Sequence, residues 1–166
     1  MSATAPGFTF APAPQSFSDV QGDVAAALIT ATAGVYRRYL AEGAVNAFFD
    51  TSIALLNPTT VATVARVVFQ PSTGAPVERQ IPVGASTRVT VDPKAHGLPG
   101  ADFSTLVESS QPLVVDRTMR WDATGYGSHA ESSLPQPLPT WYFAEGATTG
   151  QFNLFYLLQN PGSPAA

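Results

Sequence analysis

Two glutamates, Glu42 and Glu145, each stand in the context A-E-G-A, ahead of an apolar run. A carboxylate in apolar surroundings could act as an acid or a ligand. It could also be half of an ion pair, since acids taken from water are usually paired. Arg117 is the partner expected for Glu42. The two histidines, His96 and His129, both lie in loops rich in Gly and Pro, and neither has a ligand partner at H-x-x-x-H spacing. The run "SHAES" sets Ser128, His129 and Glu131 close in sequence. A triad, however, is a matter of spatial geometry, and there is no G-x-S-x-G elbow. Asp92 and Asp102, in "VDPKAHGLPGAD", suit calcium by type, but the D-x-D-x-D-G spacing is missing. The glycines fall at turns, so no phosphate loop is expected. Four aromatics, Trp121, Tyr126, Trp141 and Tyr142, cluster near a connector. Amphipathic rings could stack on sugars, or they could seal a junction between packed sheets. The sum is a chain with no catalytic residue, no metal and no cofactor expected, read as a non-enzyme.

These side chains must be positioned by strands. From residue 38 onward, short alternating runs are punctuated by turn signals every 8–12 residues, the pattern of a sandwich or barrel. "TSIALLNP" is stopped by Asn57-Pro58, and "TVATVARVVFQ" by the Pro and Gly of "PSTG". "PVERQIPV" and "ASTRVTVDP" alternate, and "DFSTLVES" with "PLVVDRTMRW" reads as a hairpin across "SSQP". About seven strands over residues 38–121 predict an immunoglobulin-like antiparallel β-sandwich. Residues 1–37 read as an N-terminal arm. Within it, Phe8 and Phe10 suit an edge strand, and Ser18 with Gln21 suggests a short helix over 19–36 running into a strand. Residues 122–140 are a Gly-, Ser- and Pro-rich connector.

Composition narrows the partners. Charged residues are 12% of the 166, and Lys94 is the single lysine. The net charge of −4 argues against nucleic acid, which would need clustered Lys and Arg. No cysteine is present, which removes disulfides and thiolate sites. No apolar run is long enough for a membrane-spanning helix. The N-terminal residues do not read as a signal peptide, having no basic residue before Arg37.

The most informative feature is a repeat. "RYLAEGAVNAFFDTSIALLNP" at 38–58 returns as "WYFAEGATTGQFNLFYLLQNP" at 141–161, with a constant, ungapped offset of 103 residues. Identical pairs are Tyr39/Tyr142, Ala41/Ala144, Glu42/Glu145, Gly43/Gly146, Ala44/Ala147, Phe49/Phe152, Leu55/Leu158, Asn57/Asn160 and Pro58/Pro161. A period near 100 residues is one sandwich, so this is a domain-level repeat rather than a solenoid.

"WYFAEG", "LLQNP", "ASTRVTV", "VESSQPLVV" and "DRTMRW" together resemble a family of bacterial extracellular repeats. That family has a W-Y-x-A-E-G opening, a strand ending in N-P, an S-R-x-T-V strand, an E-S-x-Q-P hairpin and an E-R-x-M-Y-W close. The resemblance spans roughly residues 38–161. It departs at Asp116, where the family has Glu, and at Arg120, where the family has an aromatic. It implies a secreted or cell-surface protein built of tandem β-sandwiches, with no enzymatic activity assigned to the repeat. On this reading residues 141–166 open a second unit and form a pair of strands. Their apolar residues, Trp141, Tyr142, Phe143, Phe152, Leu154, Phe155, Tyr156, Leu157 and Leu158, would join the N-terminal arm in a composite sheet or complete a neighbouring subunit. The expected function is a structural or adhesive module whose partner is itself, as a homo-oligomer or filament, or a neighbouring repeat. The alternative is a carbohydrate-binding module of a larger secreted protein, contacting a surface glycan through Trp121 and Tyr126.

Overall fold

The computed structural model of the chain describes residues 34–121, 127–151 and 153–162, together with the backbone of two strands at 8–11 and 30–33. The chain is an all-β antiparallel sandwich. Its strands are β1 (Phe8–Ala11), β2 (Thr30–Ala33), β3 (Tyr36–Leu40), β4 (Ala44–Val45), β5 (Phe49–Asn57), β6 (Thr63–Pro71), β7 (Val77–Val83), β8 (Thr87–Val91), β9 (Ala101–Ser109), β10 (Val114–Trp121) and β11 (Gly127–Ser132). One sheet runs β11-β10-β5-β8. The other runs β3-β9-β6-β7, with the two-residue β4 also on β9. β1 and β2 form a separate two-stranded sheet, in register Phe8 opposite Ala33. The helix expected near residue 19 falls outside the described residues, and Thr30–Ala33 is strand.

Alternation builds the core. Thr51, Ile53, Leu55 and Asn57 of β5 face inward, as do Val115, Arg117 and Met119 of β10. From the opposite sheet come Ala65, Val67 and Phe69 of β6 and Phe103, Thr105 and Val107 of β9. Such period-two burial is what a sheet with one face on the core requires. Phe69 and Phe103 meet edge to face at a centroid distance of 5.5 Å, across neighbouring strands of one sheet. Gly43 is there because of this ring: a Cβ at that position would lie 2.5 Å from the Phe103 ring.

Three expectations are corrected. β9 and β10 are not a hairpin: they lie in different sheets, and "SSQP" carries the chain between layers. Ser109 is buried at the end of β9, and its hydroxyl donates to the Gln111 carbonyl at 2.6 Å, which turns the chain away from its own sheet. The connector holds an eleventh strand. β11 pairs with β10 in full, from Asp116 opposite Ser132 to Trp121 opposite Gly127. Gly127 is needed there, since a Cβ would fall 2.0 Å from the Trp121 indole. Finally, the described residues of 141–162 contain no strand and do not join β1 and β2. The physical reason lies in the repeat: the places that strands of this sequence would take are already filled by residues 38–58.

The unit closes on itself. Tyr39 and Leu134 exchange two backbone hydrogen bonds, each 2.9 Å, so the chain leaving β11 lies beside the first strand of the sandwich.

Candidate functional site

Two features stand out: a buried arginine at one side of the sandwich and an uncovered tail beyond it. Arg117 sits at an inward position of β10, between Val115 and Met119, with 1% of its side chain exposed. Its direct cross-strand neighbour on β11 is Glu131, and His129 lies two residues away on the same face. Glu42 comes from the turn after β3. Arg117 Nη1 donates to Glu42 Oε2 at 2.5 Å, and Nη2 donates to Glu131 Oε2 at 3.0 Å. Nη2 also stands 3.4 Å from His129 Nδ1, and His129 Nε2 is 3.5 Å from Glu42 Oε2. One tautomer satisfies both contacts, with Nδ1 accepting from the guanidinium and Nε2–H turned towards Glu42. The Arg117 Nε–H is buried with no hydrogen-bond partner.

This cluster binds Glu42 and Arg117 into the ion pair expected from the sequence. It also recruits Glu131 and His129, which sequence reasoning took for loop residues. The signal that could have found them is the alternation of His129 and Glu131 in "SHAES", a two-residue period typical of strands. Both carboxylates are spent on one guanidinium, so the cluster is an electrostatic clasp between β10, β11 and the turn after β3. It offers no nucleophile with a base. Trp121 packs against His129 at a centroid distance of 5.8 Å, with its indole lying on Gly127. Tyr126 lies outside the described residues.

The calcium reading finds no supporting geometry. Asp92 Oδ1 accepts from the Lys94 backbone N–H at 2.9 Å, forming a local turn. Lys94 Nζ pairs with Asp50 at 2.9 Å. Among the described residues no group of three or more His, Cys, Asp or Glu could hold a metal ion. A shallow depression of about 570 Å³ is lined by Ala62, Thr63, Val64, Pro82, Val83, Gly84 and Ser110, without a titratable side chain.

The tail is the second feature. Tyr142 is 93% exposed, Phe155 77% and Leu158 77%. Trp141, Phe143, Leu154, Tyr156 and Leu157 are also exposed, and Phe152 lies outside the described residues. The tail folds back on itself, so that Phe143 and Tyr156 meet at 4.7 Å between centroids. It touches the sandwich through Gln159, whose amide donates to Gln70 Oε1 at 2.9 Å. A run of exposed large apolar side chains on this scale is unusual on the surface of a folded chain.

No family model matches the chain, and no curated protein matches it. Several solved structures are similar to it, two of which follow. A crystal structure of Thermotoga maritima 1070 superposes with a TM-score of 0.56 at 15% identity, over 61% of this chain and 94% of that one. The Anabaena sensory rhodopsin transducer is more distant, with a TM-score of 0.44 at 20% identity over 49% of this chain and 85% of that one. At such identity the first likeness concerns the fold alone.

Proposed function

We propose that this protein is a non-enzymatic structural or adhesive β-sandwich of the cell surface or extracellular space, and that it associates through its C-terminal tail. The observation that carries the reading is the contrast between a closed sandwich and an open tail. The sandwich buries its own core and is tied shut at Tyr39 and Leu134. The tail places Tyr142, Phe143, Phe155, Tyr156, Leu157 and Leu158 in water. Fully burying one such side chain is worth about 1.5–3 kcal/mol, so several together favour association. The extracellular placement rests on the repeat resemblance. The glycan-binding alternative needs an open aromatic platform, and the Trp121 indole is already committed to Gly127 and His129.

Truncation after Pro139 tests the reading. The full chain is expected to form larger particles as its concentration rises, by light scattering. The truncated chain is expected to stay monomeric with a nearly unchanged melting temperature. A full chain that stays monomeric throughout sinks the proposal. A glycan array with Trp121→Ala as control tests the alternative, which fails if no sugar is bound.

A further inference from the structure

We infer that the outer face of the β3-β9-β6-β7 sheet pairs with the same face of a second copy of this chain, about a two-fold axis that runs along the strands between β9 and β6. This deepens the association reading and rests on it: the tail supplies affinity, and this face sets how two copies are oriented.

The face carries a row of charges laid across the strands. Ala65 and Val67 of β6, Val107 of β9, and Ile81 and Val83 of β7 point into the core, so Arg66, Glu108 and Glu78 point outward. Arg37 of β3 stands opposite Glu108, and Glu108 stands opposite Arg66. Ion pairs of 2.7, 2.6 and 2.7 Å link the four in the order Arg37, Glu108, Arg66, Glu78. The signs run plus, minus, plus, minus.

Two residues along the strands lies a second row, which is mostly apolar. Tyr36 pairs with Ser109, so Val35 and Ser110 extend β3 and β9 on the outer face. Val64 of β6 and Pro82 of β7, which are register partners, complete the row. Val35 is 56% exposed and Val64 52%, and Pro82 and Ser110 are exposed as well. The shallow depression described above has Val64, Pro82 and Ser110 in its wall.

The order of the charges identifies the partner. A plus-minus-plus-minus row read backwards is its own complement. A two-fold axis along the strands makes that reversal, because a symmetric contact sets one patch on itself. It lays Arg37 over the second copy's Glu78 and Glu108 over its Arg66, with opposite charges at all four positions. A two-fold axis across the strands would instead set arginine on arginine and glutamate on glutamate, which is costly. The axis that the charges select also places Val35 on the second copy's Pro82, at the depression, and Ser110 on its Val64. One geometry thus pairs the charges and covers the exposed apolar residues, with strands aligned as in ordinary stacked sheets. Exposed ion pairs add little affinity and much register, which leaves the affinity to the tail.

The chain has no cysteine, so introduced thiols report the contact without background. Val35 and Pro82 stand three strand spacings apart in one sheet, about 14 Å, too far for a disulfide within one chain. The full-length double variant Val35→Cys/Pro82→Cys is therefore expected to give a disulfide-linked dimer on mild oxidation, read on a non-reducing gel. Each single variant is expected to stay monomeric there, because the axis keeps like positions apart. A double variant that cross-links no more than the single ones overturns the inference and leaves the face to some other partner. The charges are tested in the same double-cysteine chain. Arg37→Glu and Glu78→Arg are each expected to trap several-fold less dimer, since each sets like charges face to face. An equimolar mixture of the two is expected to restore trapping, since each then meets opposite charge on the other. A mixture that traps no more than its components also overturns the inference. Light scattering on the parent chain separates the two readings. Particles that grow with concentration while no dimer is trapped overturn this orientation and keep association through the tail. Dimer trapped equally well after truncation at Pro139 keeps this pairing and overturns the role of the tail.

Discussion

Arg117 is a charge placed where an apolar side chain would be ordinary. Its guanidinium is almost wholly removed from water, and Glu42 and Glu131, 20% and 50% exposed, share it. Removing one partner of a buried pair strands the other, at about 3–5 kcal/mol, whereas replacing the buried member with an apolar residue is often close to neutral. Residual solvent at the two carboxylates reduces both figures. Glu42→Ala should therefore destabilise the sandwich by about 2–3 kcal/mol, and Arg117→Met should cost less. Chemical denaturation of both variants checks the order, and the reverse order would mean that Arg117 is worth more as a link between strands than it costs as a buried charge. The Glu42–Arg117 contact was legible in the sequence because an acid in apolar surroundings needs a cation, and few cations exist in this chain. Glu131 and His129 were not legible. Gly and Pro around them masked a strand whose pairing depends on β10, distant from any local signal.

Among the elements, β5 carries the most structure. It is hydrogen-bonded on both sides, to β10 and β8, and its end is set by one residue. Asn57 is fully buried, and its amide donates to the carbonyls of Val61 at 2.8 Å and Gly84 at 3.0 Å. Its Oδ1 accepts from the Thr59 N–H at 3.0 Å and from the Thr59 hydroxyl at 2.8 Å. The residue thus stops the strand and joins the β5–β6 and β7–β8 turns. Asn57→Ala leaves those buried groups without partners, and a loss of about 2–4 kcal/mol is expected by thermal or urea unfolding. A change below about 0.5 kcal/mol would mean that water replaces every bond. The Asn-Pro pair flagged this stop in the sequence, but nothing local could reveal that the same side chain reaches Gly84. The "SSQP" hairpin misread has the same origin. Turn chemistry says that a chain bends, while the layer it enters depends on which neighbouring strands have free edges.

For the molecule as a whole, few charges must be used economically, and the outer face of the β3-β9-β6-β7 sheet concentrates them. Glu108 Oε1 accepts from Arg37 Nε at 2.7 Å and its Oε2 from Arg66 Nη1 at 2.6 Å, while Arg66 Nη2 reaches Glu78 at 2.7 Å. The hydrogen bond from Arg37, with a further one from Arg66, holds the Glu108 carboxyl below its ordinary 4.5. The hydrogen bond from Arg66 lowers Glu78 likewise. A carboxylate with a depressed folded value lends stability that is complete above the unfolded value and fades as pH falls through the folded one. The sandwich should therefore lose stability in acid, beginning near the ordinary glutamate range. Arg37→Gln should flatten that loss in melts recorded across pH, and an unchanged acid slope would remove Glu108 from the account. Sandwich architecture was legible from turn spacing and alternation, because each strand buries one face. The exposure of Tyr142, Phe155 and Leu158 in the tail was not legible, because its sequence is that of a buried strand.

The bridge between Tyr39 and Leu134 has a mechanical consequence. The two segments run antiparallel, so the chain enters β3 and departs from Leu134 on the same side of the contact. Tension applied to the two ends would peel this pair open one bond at a time rather than shear it. Its two hydrogen bonds would yield first, ahead of the eight-pair ladder of β5 and β10. Under load the seam between entry and exit would act as a small extensible link, lengthening the molecule while the core stays shut.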